Sequence, residues 1–228
     1  DKGTTKKRAP LLFNLAELQA ECSKRFKISP DETLQVAQDL YERKLTTYPR
    51  TDARVLSSAV AKEISKNIRG LRSFEPVAPF VQNIMEHGLY KNIGKSSYTD
   101  DSKITDHYAI IPTGQGLGAL KGLSLTAQRV YETIVRRFLS IFYPAAIYQK
   151  YALELTCGQE HFFTSFRVLT EQGYLKVAEV PKRKKADDTA ASGGQVADGE
   201  TDDKDESEIN KKDMENPAFI AMLASLKK

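Results

Sequence analysis

Cysteine, which cross-links many small or secreted proteins, is scarce in this sequence of 228 residues. The two cysteines, Cys22 and Cys157, do not form a CxxC pair, so we expect neither a disulfide framework nor a structural zinc site. No run reaches the roughly 18 apolar residues that a membrane span needs. The N-terminal segment DKGTTKKRAP lacks the apolar stretch of a signal peptide and does not begin with Met. These absences favour a cytoplasmic protein that does not enter a membrane, and the missing Met suggests an excised fragment.

Side chains at metal-ligand spacing are also lacking. His87 and His161 have no partners at such spacing and are expected to be structural. Asp203 and Asp205 offer two carboxylates, but their charged, low-complexity surroundings indicate a solvated segment. The sequence therefore predicts no metal site within this chain.

Apolar residues and positive charge are both plentiful. With 40% hydrophobic residues, the chain has enough apolar surface to bury a core. Residues 186–228 carry 11 acidic and 5 basic side chains, whereas the other 185 residues carry 29 basic and 19 acidic ones. A basic body favours a polyanionic partner such as nucleic acid, and charge that serves solubility alone remains the alternative.

Hydrophobic periodicity changes near Pro144. Before it, apolar residues three and four apart predict helices, with N-cap signals at Asn14, Ser29 and Ser57 and a stop at Gly70. A short helix is expected at residues 79–86. The apolar faces of the longer helices are Leu15, Leu18, Cys22 and Phe26; Leu34, Ala37, Leu40 and Tyr41; Val60, Ile64 and Ile68; and Val130, Ile134, Phe138 and Phe142.

Alternation with a period of two follows Pro144. Residues 148–156 and 161–168 predict a β-hairpin, and residues 173–180 predict a third strand. Residues 181–213 are charged and of low complexity, which is typical of a flexible insertion, and residues 216–226 favour a short helix. The expected fold class is α+β, with a helical domain over residues 1–144 and a β-containing segment over residues 145–228.

One irregular stretch, Leu45-Thr46-Thr47-Tyr48-Pro49-Arg50-Thr51-Asp52, holds the side chains best suited to chemistry. Pro49 biases Tyr48 toward an extended backbone, in which Tyr48 and Arg50 project to the same side. A phenol with a pKa of about 10 needs nearby positive charge or a base before it attacks at neutral pH. Arg50 supplies that charge and can grip a phosphate with its planar fork. A tyrosine that merely anchors a loop is the alternative.

Several motifs occur together in an order that is known from one family. Residues 47–52 (TYPRTD) resemble the active-site tyrosine motif of the type IA DNA topoisomerases, of the bacterial topoisomerase I and III kind. The preceding helix matches the family pattern TL-x-x-AQ-x-LYE over residues 33–42, and residues 106–113 (DHYAIIPT) resemble its second signature. Leu12-Phe13, Leu15, Leu18-Gln19 and Arg136-Arg137-Phe138 also fit, so that the resemblance covers about residues 10–175.

The resemblance implies a specific reaction. In this family the tyrosine joins covalently to a 5′ phosphate of single-stranded DNA, another strand passes through the gap, and the break is resealed without ATP. It implies that Tyr48 is the nucleophile, that Arg50 positions the scissile phosphate and stabilises its charge, and that His107 is the active-site histidine. Tyr108 stands where some relatives have a second histidine, so His107 is the only imidazole of this signature. Without the motif, a histidine beside Asp106 is more typical of a structural residue.

Four further residues are expected to contact DNA. Thr51, Asp52 and Thr113 belong to the two signatures and add hydrogen-bonding groups. Arg54 lies two residues beyond Asp52, within reach of a DNA backbone, and a solvated arginine is the alternative.

The resemblance also implies partners beyond this chain. The family's acidic domain, which binds Mg²⁺, has no counterpart in this sequence, so we expect Mg²⁺ to be bound by other domains of the same polypeptide. The chain would then be the helical cap and part of the β-containing gate or arch, and would not cleave DNA alone. Two other readings stay open. One is a single-stranded DNA-binding and gating module without chemistry. The other is a tyrosine recombinase, which needs dispersed Arg and His residues and attaches through a 3′ phosphate.

Overall fold

Residues 2–179 are described in a computed structural model of the chain. Residues 8–144 and 174–179 form a helical unit, and residues 2–7 and 145–173 form a small β unit. The fold class is α+β, as the sequence predicts. The flexible insertion expected at residues 181–213 and the helix expected at residues 216–226 lie outside the described residues.

Local capping signals set where the helices of the helical unit begin. Its helices are α1 (Leu15–Phe26), α2 (Pro30–Glu42), α3 (Ser58–Gly70), α4 (Ala78–His87), α5 (Leu125–Ser140) and the short α6 (Leu175–Ala178). The side chains of Asn14, Ser29 and Ser57 each accept a hydrogen bond from the backbone N–H three residues further on. Each cap pairs an N–H that has no partner within its helix, so the three predicted N-caps are confirmed.

The core of the helical unit forms around α5, which packs against α1, α2 and α6. Tyr131, Ile134 and Phe138 are fully buried on α5, and Leu18 and Cys22 are fully buried on α1. Burial raises the pKa of the Cys22 thiol to about 12. No helix within residues 2–179 has the length and apolar character to cross a membrane.

One residue of a predicted helix face lies outside the core. Tyr41 is expected to face inward, yet its side chain is 40% exposed. Tyr41 is the penultimate residue of α2, where the chain turns away, and its ring contacts Tyr48 instead of the core.

A buried arginine fastens the end of the helical unit. Arg136 on α5 is 2% exposed and pairs with Glu132 at 2.8 Å. Its guanidinium donates hydrogen bonds to the carbonyls of Val177 at 2.9 Å and Glu179 at 3.1 Å. A buried guanidinium needs several acceptors, and the carbonyls around α6 supply them. The third strand predicted at residues 173–180 is therefore wrong, because this segment returns as a short helix to α5.

The β unit is a three-stranded antiparallel sheet with the order β1 (Lys2–Lys7), β2 (Ala146–Cys157) and β3 (Glu160–Glu171). The predicted hairpin of β2 and β3 is confirmed, and Gly158 in its turn has a φ of 61°. Tyr151 and Phe166 stack at 5.4 Å between ring centroids in the small core of the sheet.

The third strand comes from the N-terminus of the chain. Lys2 pairs with Tyr151 and Lys7 pairs with Ala146 in the antiparallel register of β1 and β2. The sequence analysis placed residues 1–144 in one domain, but residues 2–7 lie in the β unit and residues 174–179 in the helical unit. The polar segment KGTTKK has no apolar alternation, so local sequence carries no strand signal, and its pairing with β2 decides its conformation.

Gly70 allows a close approach of two backbone segments. The predicted stop at Gly70 is confirmed, because α3 ends there, but its φ of −62° is helical and the chain continues into a 3₁₀ turn at Leu71–Ser73. A Cβ atom at Gly70 would lie 2.2 Å from the carbonyl oxygen of Gly114. Asn67 on the same helix donates a hydrogen bond to the Pro112 carbonyl at 3.0 Å. The C-terminal turn of α3 thus supports residues 112–114.

We expect Gly70→Ala to destabilise the helical unit by about 1–3 kcal/mol, the usual cost of overpacking. At an exposed helical position, replacing glycine with alanine would instead stabilise the protein by up to about 1 kcal/mol. Urea unfolding of the chain measures the difference. Gly118→Ala is the matched control, because a Cβ atom there meets nothing within 4 Å. Equal stability of the two variants would show that the contact with Gly114 does not constrain the fold.

Candidate active site

The irregular loop of residues 45–55 is held by backbone hydrogen bonds to residues 107–113. The Thr47 N–H donates to the Ile111 carbonyl at 3.0 Å, and the Thr113 N–H donates to the Leu45 carbonyl at 3.0 Å. Further along, the Ala109 N–H donates to the Val55 carbonyl at 3.0 Å. The two sequence signatures are therefore paired directly with each other.

Threonine hydroxyls complete this pairing. Thr47 Oγ1 donates to the Ala109 carbonyl at 3.0 Å and accepts from the Ile111 N–H at 3.0 Å. Thr51 is 7% exposed, and its Oγ1 donates to the His107 carbonyl at 2.7 Å and accepts from the Ala53 N–H at 3.1 Å. Each hydroxyl serves as donor and acceptor at once, which a valine of the same shape cannot do.

A third segment supports the loop from the other side. The Leu15 N–H donates to the Thr51 carbonyl at 3.1 Å, and the Ile110 N–H donates to the Phe13 carbonyl at 2.8 Å. The guanidinium of Arg137 lies 4.1 Å from the centre of the Phe13 ring. Burial lowers the pKa of Arg137. The residues before α1 are thereby fixed between α5 and the loop.

Tyr48 lies between two other rings. Its side chain is half-buried, and its ring centroid is 4.6 Å from that of His107, with the planes tilted by 48°. The ring of Tyr41 meets it edge-on at 5.3 Å. The pairing of the two signatures thus places the tyrosine of the first against the histidine of the second.

Tyr48 and His107 both line a cavity of about 400 Å³. The same cavity is lined by polar and aromatic side chains of three segments, among them Tyr41, Lys44, Thr46, Tyr108, Thr113 and Gln115. Burial raises the pKa of the Tyr108 phenol. The cavity has the volume of a small-ligand site and offers hydrogen-bond donors beside the Tyr48 ring.

Arg50 stands apart from this cavity. It is exposed, is not among the lining residues, and makes no hydrogen bond or ion pair within residues 2–179. The Thr51 N–H donates to the Pro49 carbonyl at 3.0 Å, which closes a three-residue turn centred on Arg50. The extended geometry that would project Tyr48 and Arg50 to one side is therefore wrong at Arg50.

The four residues expected to contact DNA differ in how available they are. Thr51 uses its hydroxyl internally, and Thr113 Oγ1 donates to the Lys44 carbonyl, so both of them position the loop. Asp52 is exposed, and its backbone carbonyl accepts from the Asn14 side chain at 3.1 Å. Arg54 binds the Leu12 carbonyl and pairs with Glu17 at 3.3 Å. Contact of these residues with DNA stays a prediction.

Sequence reasoning missed Tyr41, Lys44 and Gln115 as cavity residues. Tyr41 lies on the apolar face of its helix in the sequence pattern, which predicted burial in the core. Lys44 carried no signal, because its left-handed backbone, with a φ of 62°, is rare for lysine and cannot be read from the residue type. Within the described part of the chain, no three His, Cys, Asp or Glu side chains lie together in a way that could hold a metal ion.

Comparisons with known proteins show which family the chain resembles. The model of the DNA topoisomerase family matches residues 1–222. The chain is 39% identical over 181 residues to DNA topoisomerase 3 of Bacillus subtilis, covering 78% of this chain and 24% of that protein. It is 34% identical over 180 residues to DNA topoisomerase 3 of Bacillus cereus (strain ATCC 14579), again with 78% and 24% covered. The chain therefore spans about a quarter of the length of these relatives.

A solved structure has the same fold. Full-length topoisomerase I from Thermotoga maritima superposes with a TM-score of 0.55 at 22% identity, over 86% of this chain and 31% of that one.

We expect Thr51→Val to destabilise the helical unit by about 1–3 kcal/mol, because the His107 carbonyl and the Ala53 N–H each lose their partner. Thermal and urea unfolding measure the change. Thr126→Val is the matched control, since Thr126 is half-buried and its hydroxyl makes no hydrogen bond within residues 2–179. A Thr51→Val variant as stable as this control would contradict the role assigned to the hydroxyl.

Proposed function

The chain belongs to the family of type IA DNA topoisomerases, and we propose that it supplies Tyr48 as the nucleophile with which the complete enzyme cleaves single-stranded DNA. The break is bridged by a 5′-phosphotyrosine at Tyr48, another strand passes, and the break is resealed without ATP. The observation that carries this proposal is the placement of Tyr48 against His107 in one cavity.

The chemistry is a transesterification. The Tyr48 phenol oxygen attacks the phosphorus, a phosphotyrosine bond forms, and the bond from phosphorus to the 3′ oxygen of the neighbouring nucleotide breaks. The phenol proton leaves as the bond forms, and the departing 3′ oxygen takes up a proton. Resealing reverses these steps, and the energy of the phosphodiester is kept in the covalent link, so ATP is not needed.

His107 and Arg50 act on the two sides of the reacting phosphate. The His107 ring packs on Tyr48 and limits its rotation, and an imidazole is a suitable proton acceptor near neutral pH. Arg50 is exposed and unpaired within the described residues, so its guanidinium is free to bind the scissile phosphate outside the cavity. Positive charge at this position stabilises the charge that develops on the phosphate oxygens.

Mg²⁺ does not fit a site within residues 2–179, where no cluster of carboxylates and imidazoles is present. We propose that acidic residues in another part of the polypeptide bind it. The tests below therefore use the complete polypeptide.

Tyr48→Phe should abolish covalent adducts, because phenylalanine has no nucleophilic oxygen. The ring contacts with His107 and Tyr41 remain, so folding and DNA affinity should be unchanged. The measurement is adduct formation on end-labelled single-stranded DNA, with binding assayed in parallel. Tyr90→Phe is the matched control, since Tyr90 is half-buried and does not line the cavity. An adduct in Tyr48→Phe would place the nucleophile elsewhere and refute the proposal.

Arg50→Lys should slow cleavage by roughly 10²–10³-fold, the effect of losing one transition-state donor, because lysine keeps the charge but not the planar fork. DNA affinity should fall much less, since many other contacts to the DNA phosphates also contribute to the binding free energy. Single-turnover cleavage and oligonucleotide binding are compared with Arg72→Lys, an exposed arginine that does not line the cavity. Normal cleavage by Arg50→Lys would leave Arg50 as a general electrostatic residue.

A non-catalytic DNA-binding or gating module is the competing function. In that case the complete polypeptide, supplied with Mg²⁺, would bind single-stranded DNA but form no adduct.

A further inference from the structure

Lys44 lies just beyond the C-terminal end of α2, at the edge of the cavity. Its φ of 62° is left-handed, as is common for the residue that follows a helix. The Lys44 N–H donates to the Tyr41 carbonyl at 2.8 Å, and the Leu45 N–H donates to the Leu40 carbonyl at 2.9 Å. The Lys44 carbonyl accepts from the Thr113 hydroxyl. The end of α2 and Thr113 thus fix the backbone from which the Lys44 side chain extends.

The turn presents a cation to the cavity. Lys44 lines the cavity together with Tyr48, and no carboxylate is among the lining residues. Its side chain is exposed and forms no ion pair within the part of the chain that the structure describes. Arg50, the other basic residue of this region considered for phosphate binding, does not line the cavity. Lys44 is therefore placed to attract an anion into the space beside the Tyr48 ring.

A second side chain in the same wall lacks a hydrogen-bond partner. Thr46 is 2% exposed, lines the cavity, and its Oγ1 has no partner among the described residues. A buried hydroxyl without a partner is uncommon and calls for an explanation such as a bound group. The neighbouring Thr47 hydroxyl is fully used by Ala109 and Ile111. The cavity wall thus presents the ammonium of Lys44 and the buried hydroxyl of Thr46, and no group within residues 2–179 pairs with either of them.

We propose that Lys44 and Thr46 bind a phosphate group of the single-stranded DNA that enters the Tyr48 cavity. This rests on the proposed function and adds to it a phosphate contact separate from that of Arg50. The ammonium of Lys44 neutralises the phosphate, and the Thr46 hydroxyl donates a hydrogen bond to one of its oxygens. A strand held on both sides of Tyr48, by Arg50 outside and Lys44 inside, is fixed in register with the nucleophile.

Lys44→Gly removes the charge and keeps the backbone conformation. Glycine tolerates the left-handed position, so the variant should unfold at the same temperature as the wild type or higher. Loss of one phosphate contact should reduce the slope of log K against log salt concentration by about 0.7 for single-stranded DNA. The measurement is fluorescence anisotropy of a labelled oligothymidine with the complete polypeptide over a range of salt concentrations. A wild-type slope and affinity would overturn the proposal.

Lys27→Gly is the matched control. Lys27 is also an exposed lysine with a left-handed backbone, at a φ of 59°, but it ends α1 and does not line the cavity. Lys27→Gly should likewise unfold at the wild-type temperature or higher, and it should keep the wild-type salt slope. If Lys27→Gly lowers the slope as much as Lys44→Gly does, the effect is general electrostatics and the proposal fails.

A threonine pair tests the hydroxyl. Thr46→Val should leave the unfolding temperature unchanged and weaken oligonucleotide binding, because its hydroxyl has no partner within residues 2–179. Thr47→Val should lower the unfolding temperature, since its hydroxyl joins two backbone groups. Destabilisation by Thr46→Val without a change in binding would contradict the role of Thr46.

The two proposals fail in distinguishable ways. If Tyr48→Phe loses the adduct while Lys44→Gly and Thr46→Val bind DNA normally, the nucleophile stands and the phosphate contact is wrong. An adduct in Tyr48→Phe refutes the nucleophile, whatever the salt slopes are. Competition by inorganic phosphate identifies the source of the anion. It should displace the oligonucleotide from the wild type no better than chloride does at equal ionic strength. Stronger displacement that Lys44→Gly abolishes would show a free-phosphate site instead.

Discussion

The structure around Tyr48 depends on one constraint, the need to pair the backbone of an irregular loop. Residues 45–55 form neither helix nor sheet, so their N–H and C=O groups lack the hydrogen-bond partners that regular secondary structure provides. Residues 107–113 supply these partners, through the bonds of Thr47 to Ile111 and of Thr113 to Leu45. Because these hydrogen bonds join specific residues of the two segments, their register also fixes which side chains face each other. The contact of Tyr48 with His107 is a consequence of that register.

Threonines convert this pairing into a rigid site. The hydroxyls of Thr47 and Thr51 bridge backbone groups that the ladder leaves open, and Thr113 fixes the carbonyl of Lys44. Gly70 lets α3 approach Gly114 closely enough to support the segment that pairs with the loop. Tyr48, the proposed nucleophile, is thereby held on a segment with little freedom, as preorganised catalysis requires, although the segment is a loop. The unfavourable backbone of Lys44 is tolerated for the same reason, since its neighbours hold it on both sides.

Two arginines of α5, the buried Arg136 and the half-buried Arg137, hold together the segments that support the site. Arg136 gathers the carbonyls of Val177 and Glu179, and Arg137 packs on Phe13 and binds the Leu11 carbonyl. Each one satisfies backbone acceptors that helix ends and irregular segments leave unpaired. The family resemblance pointed to this Arg-Arg pair only as a matching motif. In the fold, the two side chains fix the segment before α1 and the segment after the sheet against a single helix.

Features that arise from neighbouring residues can be predicted from local sequence. Asn14, Ser29 and Ser57 cap helices because a side chain reaches an N–H only three residues away, and alternation marks the hairpin because each strand needs one buried face. The sequence also identified Tyr48 and His107 as candidates, through motif chemistry. Other features became clear only in the fold. The third strand is Lys2–Lys7, a tight turn keeps Arg50 out of the cavity lining, and Lys44 lines the cavity from a left-handed backbone position. The strand and the bond from Thr113 to the Lys44 carbonyl depend on partners distant in sequence, which no local pattern encodes.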